Sequence, residues 1–419
     1  MKKAIFFACL ILLFGCKPSN EPDETNVTLS MHKSAKRGAA FKFSDMEDVM
    51  LLSPYISWDY NWGNTCDNIP GYWFDSNEVD FCPMCWNGNY NATAIRQYVA
   101  DHPNTQYLLA FNEPNLTDQA NMTPAQAASL WPAVVSLAKE LNLKLVSPAM
   151  NYGTLANYHD PVKWLDEFFA QPNVSIDDVY AISIHCYQVN TGGIQSMVEN
   201  MAKYGKPVWV TEFCAWEEGV GPGSVNEQMK YMSEVLNYME SSSAVERYAW
   251  FMPRTNRATD AYPYNQLLTK SKPYALTPLG LVYCEFSSFD KSVWLNTTQP
   301  VQAKDYIAIS GKDIHVMPST DESGKLMLFA FQAEQWTEYQ IYTATDKATM
   351  QIRYATMLTP TIQIYVDGQA QTMVTLPATG SDMSTWTTAE IPLDVKAGKH
   401  TIRIENIKST FHFAWWNIK

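Results

Sequence analysis

The chain has 419 residues, 46% of them hydrophobic and 17% charged, which excludes disorder for its bulk and supplies apolar surface for more than one core. Its 30 Lys plus Arg against 43 Asp plus Glu leave a formal charge of -13. No basic stripe exists to neutralise phosphates, so nucleic acid is excluded as a partner.

The first element is not part of a fold. Lys2 and Lys3 precede an apolar run from Ala4 to Phe14, too short to span a bilayer and of the length of a signal-peptide hydrophobic region. The run ends Gly15-Cys16, which resembles a bacterial lipobox. That resemblance implies removal of residues 1–15, lipidation of Cys16, a polar tether over residues 16–35, and an exported lipoprotein on the outer membrane or cell surface. The only membrane contact expected is the lipid. Of the cysteines that remain, Cys82-Pro83-Met84-Cys85 has zinc-ligand spacing, but no second pair follows it. The expectation is therefore no metal and no cofactor, with a loop disulfide between Cys66 and this pair in an oxidising compartment.

From residue 36 to 295 short β-rich runs alternate with helical stretches. The runs are Arg37 to Phe43, Pro54 to Trp62, Asp80 to Trp86, Tyr107 to Pro114, Lys144 to Met150, Val179 to Gln188, Pro207 to Trp216 and Arg247 to Arg254. Helix starts are marked by Thr123 before Pro124, by Ser224 with Glu227 as a capping box, and by Thr277 before Pro278. Eight such units predict a (β/α)₈ TIM barrel. An open doubly wound sheet is the rival, but it needs a glycine-rich turn after the first strand, and Phe41-Lys42-Phe43-Ser44-Asp45 is not one. From residue 300 to 419 the pattern changes to period two, as in Ala348 to Tyr354, Thr361 to Val366 and His400 to Ile404, with turns at Asp367-Gly368 and Ala397-Gly398. That predicts an all-β sandwich.

Reactive groups of a barrel sit at the carboxyl ends of its strands. Run four closes Asn112-Glu113-Pro114 and run seven closes Thr211-Glu212-Phe213. Two carboxyl groups are what glycosidic bond hydrolysis requires, one to protonate the leaving oxygen and one to attack the anomeric carbon or direct a water to it. Trp58, Trp62, Trp86, Trp216 and Trp250 fall at or near run ends, where flat faces can carry sugar rings or fill the core.

The motifs at Asn112-Glu113-Pro114 and Trp209 to Phe213 resemble those of clan A retaining glycoside hydrolases. Ser147-Pro148-Ala149, Ile184-His185-Cys186-Tyr187 and Trp250-Phe251 add a resemblance to glycoside hydrolase family 128, the endo-β-1,3-glucanases. The resemblance implies Glu113 as acid and base and Glu212 as nucleophile, with Asn112, His185, Tyr187, Trp58, Trp216 and Trp250 binding substrate or orienting the pair. Glu113 would need a raised pKa from burial and from the charge of Glu212. The C-terminal domain resembles a family 6 carbohydrate-binding module through Gln302 to Tyr306, with Trp386, Trp415 and Trp416 as candidate platforms; Lys304 replaces that family's acidic residue. The implied protein is a monomer acting on β-1,3-glucan. Mixed-linkage glucan and a non-catalytic glycan-binding lipoprotein are the alternatives.

Overall fold

A computed structural model describes residues 27–31, 33–66, 69–216, 220–255 and 264–419. The expected signal segment and lipidation at Cys16 lie outside the described residues. The chain forms an α/β domain followed by a β-rich domain.

The α/β domain contains β1 (Arg37–Ala40), β2 (Trp58–Tyr60), β3 (Asp80–Phe81), β4 (Tyr107–Leu109), β5 (Lys144–Val146), β6 (Ile182–Cys186), β7 (Val208–Phe213) and β8 (Val245–Trp250), each followed by at least one helix. Hydrogen-bonded order in the larger parallel sheet is β3-β2-β1-β8-β7-β6, and β4 pairs with β5. Parallel bridges Met84 to Leu109 and Val146 to Ala181 join these two groups, so the segment of every strand has a parallel neighbour on both sides. Inward side chains Trp58, Tyr60, Tyr107 and Trp209 form one buried cluster with small residues such as Ala40 and Ala249. The close packing has a glycine signature: a Cβ at Gly38 would lie 2.4 Å from the Trp58 ring.

Local chemistry explains the helix starts. Thr123 and Gln126 form a reciprocal capping box before Pro124, and Thr277 accepts from the Gly280 N–H at 3.0 Å. Ser224 caps Glu227 N at 3.2 Å, but the Glu227 carboxylate turns to Gly223 N at 2.6 Å instead of closing the box. The anticipated disulfide does not form. Cys66, Cys82 and Cys85 are separate buried thiols; Cys66 Sγ is directed to the Ile69 carbonyl at 3.0 Å, and Cys82 is inside the strand cluster beside Arg247.

The β-rich domain has two main sheets. One runs Val27–Thr28, Trp294–Asn296, Trp336–Thr343, Gly398–Lys408, Thr361–Val366, Gln369–Thr375, and the other His315–Pro318, Leu326–Phe331, Phe411–Ile418, Lys347–Ala355, Trp386–Val395. Asp367 and Gly368 both have positive φ, 51° and 76°, which suits the two-residue hairpin turn between Thr361–Val366 and Gln369–Thr375. Residues 27 and 28 thus pair with this domain rather than hanging free.

The two domains share a polar seam along the helix Val225–Ser241. Ser233 exchanges hydrogen bonds with the backbone of Val316, donating at 3.1 Å and accepting at 3.0 Å. Asn237 Nδ2 donates to the carbonyls of Lys312 and Ile314, while its Oδ1 accepts from Tyr306 Oη at 2.8 Å. All three side chains are buried. Removing the hydroxyl with Tyr306→Phe leaves an orphan acceptor, so the full chain should lose about 1–3 kcal/mol of stability; an unchanged melting temperature would refute this account of the seam.

Candidate active site

Glu113, Asn151, His185, Tyr187, Glu212 and Trp62 come from five different strand ends and converge at the carboxyl end of the sheet. Glu113 has φ 44° and Trp62 φ 64°, left-handed conformations that cost a non-glycine residue on the order of 1–3 kcal/mol. The turn at Glu113 is pinned by its N–H to the Ala149 carbonyl and by Leu116 N–H to its own carbonyl, both 3.0 Å. This directs its carboxylate across the sheet end instead of along the strand.

The His185 ring lies between the two acids. Its Nδ1 is 2.8 Å from Glu113 Oε1 and its Nε2 is 3.6 Å from Glu212 Oε1. Glu113 Oε1 also accepts from Asn151 Nδ2 at 2.8 Å. Glu212 is held by three donors: Tyr60 Oη at 2.9 Å and Trp62 Nε1 at 2.7 Å on Oε1, and Tyr187 Oη on Oε2.

Burial at 0% exposure pushes the His185 pKa down, yet the charges of Glu212 and Glu113 and the hydrogen bond to Glu113 together raise it. Burial pushes Glu113 up, but the His185 charge and the hydrogen bonds from His185 and Asn151 hold it below its ordinary value. Burial dominates at Glu212 and keeps it raised; the Glu113 charge adds to this, while His185, Tyr187 and Trp62 oppose it. The elevation anticipated for Glu113 is therefore reversed, because the His185 charge and the hydrogen bonds from His185 and Asn151 together outweigh burial.

The acids open onto a cleft of about 920 Å³. Trp62, Trp86, Tyr187, Trp216 and Phe251 line it, with Asn112, Asn151, Asp118 and Gln119 among its polar residues. Trp216 stands edge-on to Tyr187, centroids 6.3 Å apart. Asn112 donates to Gln119 Oε1 at 3.2 Å, and its buried Oδ1 has no partner among the described residues.

Two of the expected substrate residues lie elsewhere. Trp58 is fully buried at the start of β2 and donates to the Lys36 carbonyl, just before β1; it fills the far end of the inward cluster, below Tyr60. Trp250 is buried on the opposite face of its strand from Ala249, edge-on to Phe213 at 5.0 Å, with its N–H on the Asn265 carbonyl. Alternation along the strand turns it away from the cleft. Tyr60 and Asn151 were missed. The alternation Trp58, Tyr60, Trp62 would have put Tyr60 on the face that leads to Trp62. In the β-rich domain Trp416 is core, while Trp386 and Trp415 are half-buried with their N–H groups on Thr320 and Ser323. Lys304 is buried against Asp305 at 2.6 Å.

Residues 38–283 match the family described as the glycosyl hydrolase catalytic core. Residues 310–418 match a family 35 carbohydrate binding module, which corrects the family 6 resemblance. A family 128 (subgroup II) endo-β-1,3-glucanase from Pseudomonas viridiflava is 39% identical, with a TM-score of 0.55 over 60% of this chain and 98% of that one. One from Sorangium cellulosum is 34% identical, with a TM-score of 0.53 over 59% and 97%. Alkali-sensitive linkage protein 1 of Schizosaccharomyces pombe is 26% identical over 265 residues, 60% of this chain; the match spans only 44% of that protein.

Proposed function

The chain belongs to the glycosyl hydrolase catalytic core family and to glycoside hydrolase family 128, and from that premise we propose that it cleaves β-1,3-glucan internally, with retention, on a (β/α)₈ barrel. Eight strand-and-helix units with parallel neighbours on both sides support the barrel. The observation that carries the function is the pair of acids on either side of one buried imidazole, opening onto an aromatic cleft.

Glu212 is the nucleophile. Its three donors stabilise the carboxylate against the cost of burial and hold it in one orientation. Attack on the anomeric carbon breaks the bond to the leaving oxygen, which takes a proton from Glu113; a water that gives its proton back to Glu113 then releases the glycosyl ester. As Glu212 becomes an ester it loses its charge, one of the two that raise the His185 pKa, so the proton of the acid beside it is easier to release as the bond breaks. The free Oδ1 of Asn112 is suited to accept a sugar hydroxyl. The family 35 module supports a role for the C-terminal domain in holding the polymer.

Purified protein should release reducing sugar from laminarin and curdlan as a ladder of oligosaccharides, with a first-formed β-anomer by NMR. Release from β-1,4 or β-1,6 polymers with none from laminarin would overturn the substrate, and a first-formed α-anomer would overturn retention.

A further inference from the structure

Both hydrogen bonds to Glu113 fall on the same oxygen. His185 Nδ1 and Asn151 Nδ2 each lie 2.8 Å from Oε1, and Oε2 takes none among the described residues. The Asn151 amide has no freedom to turn over, because its Oδ1 accepts from the Tyr152 N–H at 2.8 Å; the NH₂ end must face Glu113. The loop that carries it is itself fixed. Asn115 Nδ2 donates to the Asn151 carbonyl at 2.6 Å, and a Cβ on Gly153 would meet the Asn115 and Tyr158 carbonyl oxygens at 2.5 and 2.3 Å. The Asn112–Ala149 bridge and the Glu113 N–H on the Ala149 carbonyl tie that loop to the turn of Glu113.

We propose that Asn151 is a positioning residue for the acid and base: with His185 it occupies Oε1 of Glu113 and so reserves Oε2 as the oxygen that exchanges a proton with the leaving group and then with water. This rests on the reading of Glu113 as acid and base. A carboxyl group with two fixed donors on one oxygen has one rotamer and one free lone-pair side, which is what a proton transfer along a set line to the glycosidic oxygen requires.

The test needs no substrate for its first part. The Glu113 carboxyl carbon is followed by ¹³C NMR against pH in the full chain, its signal identified by its loss in Glu113→Gln. In Asn151→Ala the ionised form loses a charge-assisted hydrogen bond, so the Glu113 midpoint should rise by about 1–2 pH units. Asn151→Asp retains an acceptor for the Tyr152 N–H, and so the loop, but sets a second carboxyl beside Oε1; the midpoint should rise at least as far. In the second part, Asn151→Ala should lower kcat on laminarin more than it changes KM, as expected for an acid and base that has lost its alignment and not its substrate. A midpoint that stays or falls in both variants overturns the proposal, whether activity survives or not. Failure of the underlying reading looks different: Glu113→Gln would remain active on laminarin, or the wild type would be inactive.

Discussion

Replacing Glu212 by glycine should abolish glucan hydrolysis, with kcat falling by a factor on the order of 10⁴ to 10⁶, the size of loss seen when a covalent nucleophile is removed. The stereochemistry of rescue is the sharper readout. The space left by the side chain is bordered by Tyr60, Trp62 and Tyr187, which held the lost carboxylate, and under the proposed mechanism it would lie beneath the anomeric carbon of a bound glucoside. Azide entering there and displacing a good leaving group from a β-glucoside should give an α-glycosyl azide. A β-azide, or activity near wild type, would remove Glu212 from the role of nucleophile.

Removing the other acid should give the opposite hand. In Glu113→Ala, turnover of laminarin should fall about 10²- to 10⁴-fold, the range of general acid–base catalysis. Glycosylation by an aryl β-glucoside, whose leaving group needs no proton, should be far less affected. Hydrolysis of the ester then lacks its base, so intermediate accumulates and added azide should yield a β-glycosyl azide. Equal losses on the aryl glycoside and on laminarin would show that Glu113 is not the proton donor. The two variants together separate the roles, since a merely damaged fold would not give azides of opposite configuration.

Features set by neighbouring residues were legible in the sequence. Caps at Thr123 and Thr277 were readable because a hydroxyl and the N–H three residues on decide them. Every strand of the α/β domain except β8, which starts two residues early at Val245, lies within its apolar run, but the runs overshoot: Pro54 to Trp62 contains only Trp58–Tyr60 as strand, because apolar character marks burial and not ladder pairing. The two Glu positions were visible through their motifs. What His185 does to them was not, because it depends on β4, β6 and β7 presenting three side chains to one point, and the imidazole reversed the pKa direction argued for Glu113. The misplacement of Trp58 and Trp250 has a simpler origin, since nearness to a strand end was read without asking to which face, or how far down, each ring points.

The helix Val225–Ser241 follows the strand that carries Glu212, and its outer side is clasped by the C-terminal domain through Ser233, Asn237 and Tyr306. Tension on a polysaccharide fibre gripped by that domain would reach the α/β domain through this buried seam, on the helix next in the chain after the nucleophile strand. The enzyme would then work a solid surface the way a plane works wood, its blade kept at a constant pitch to the sole, and would attack glucan chains lying in one direction relative to its grip.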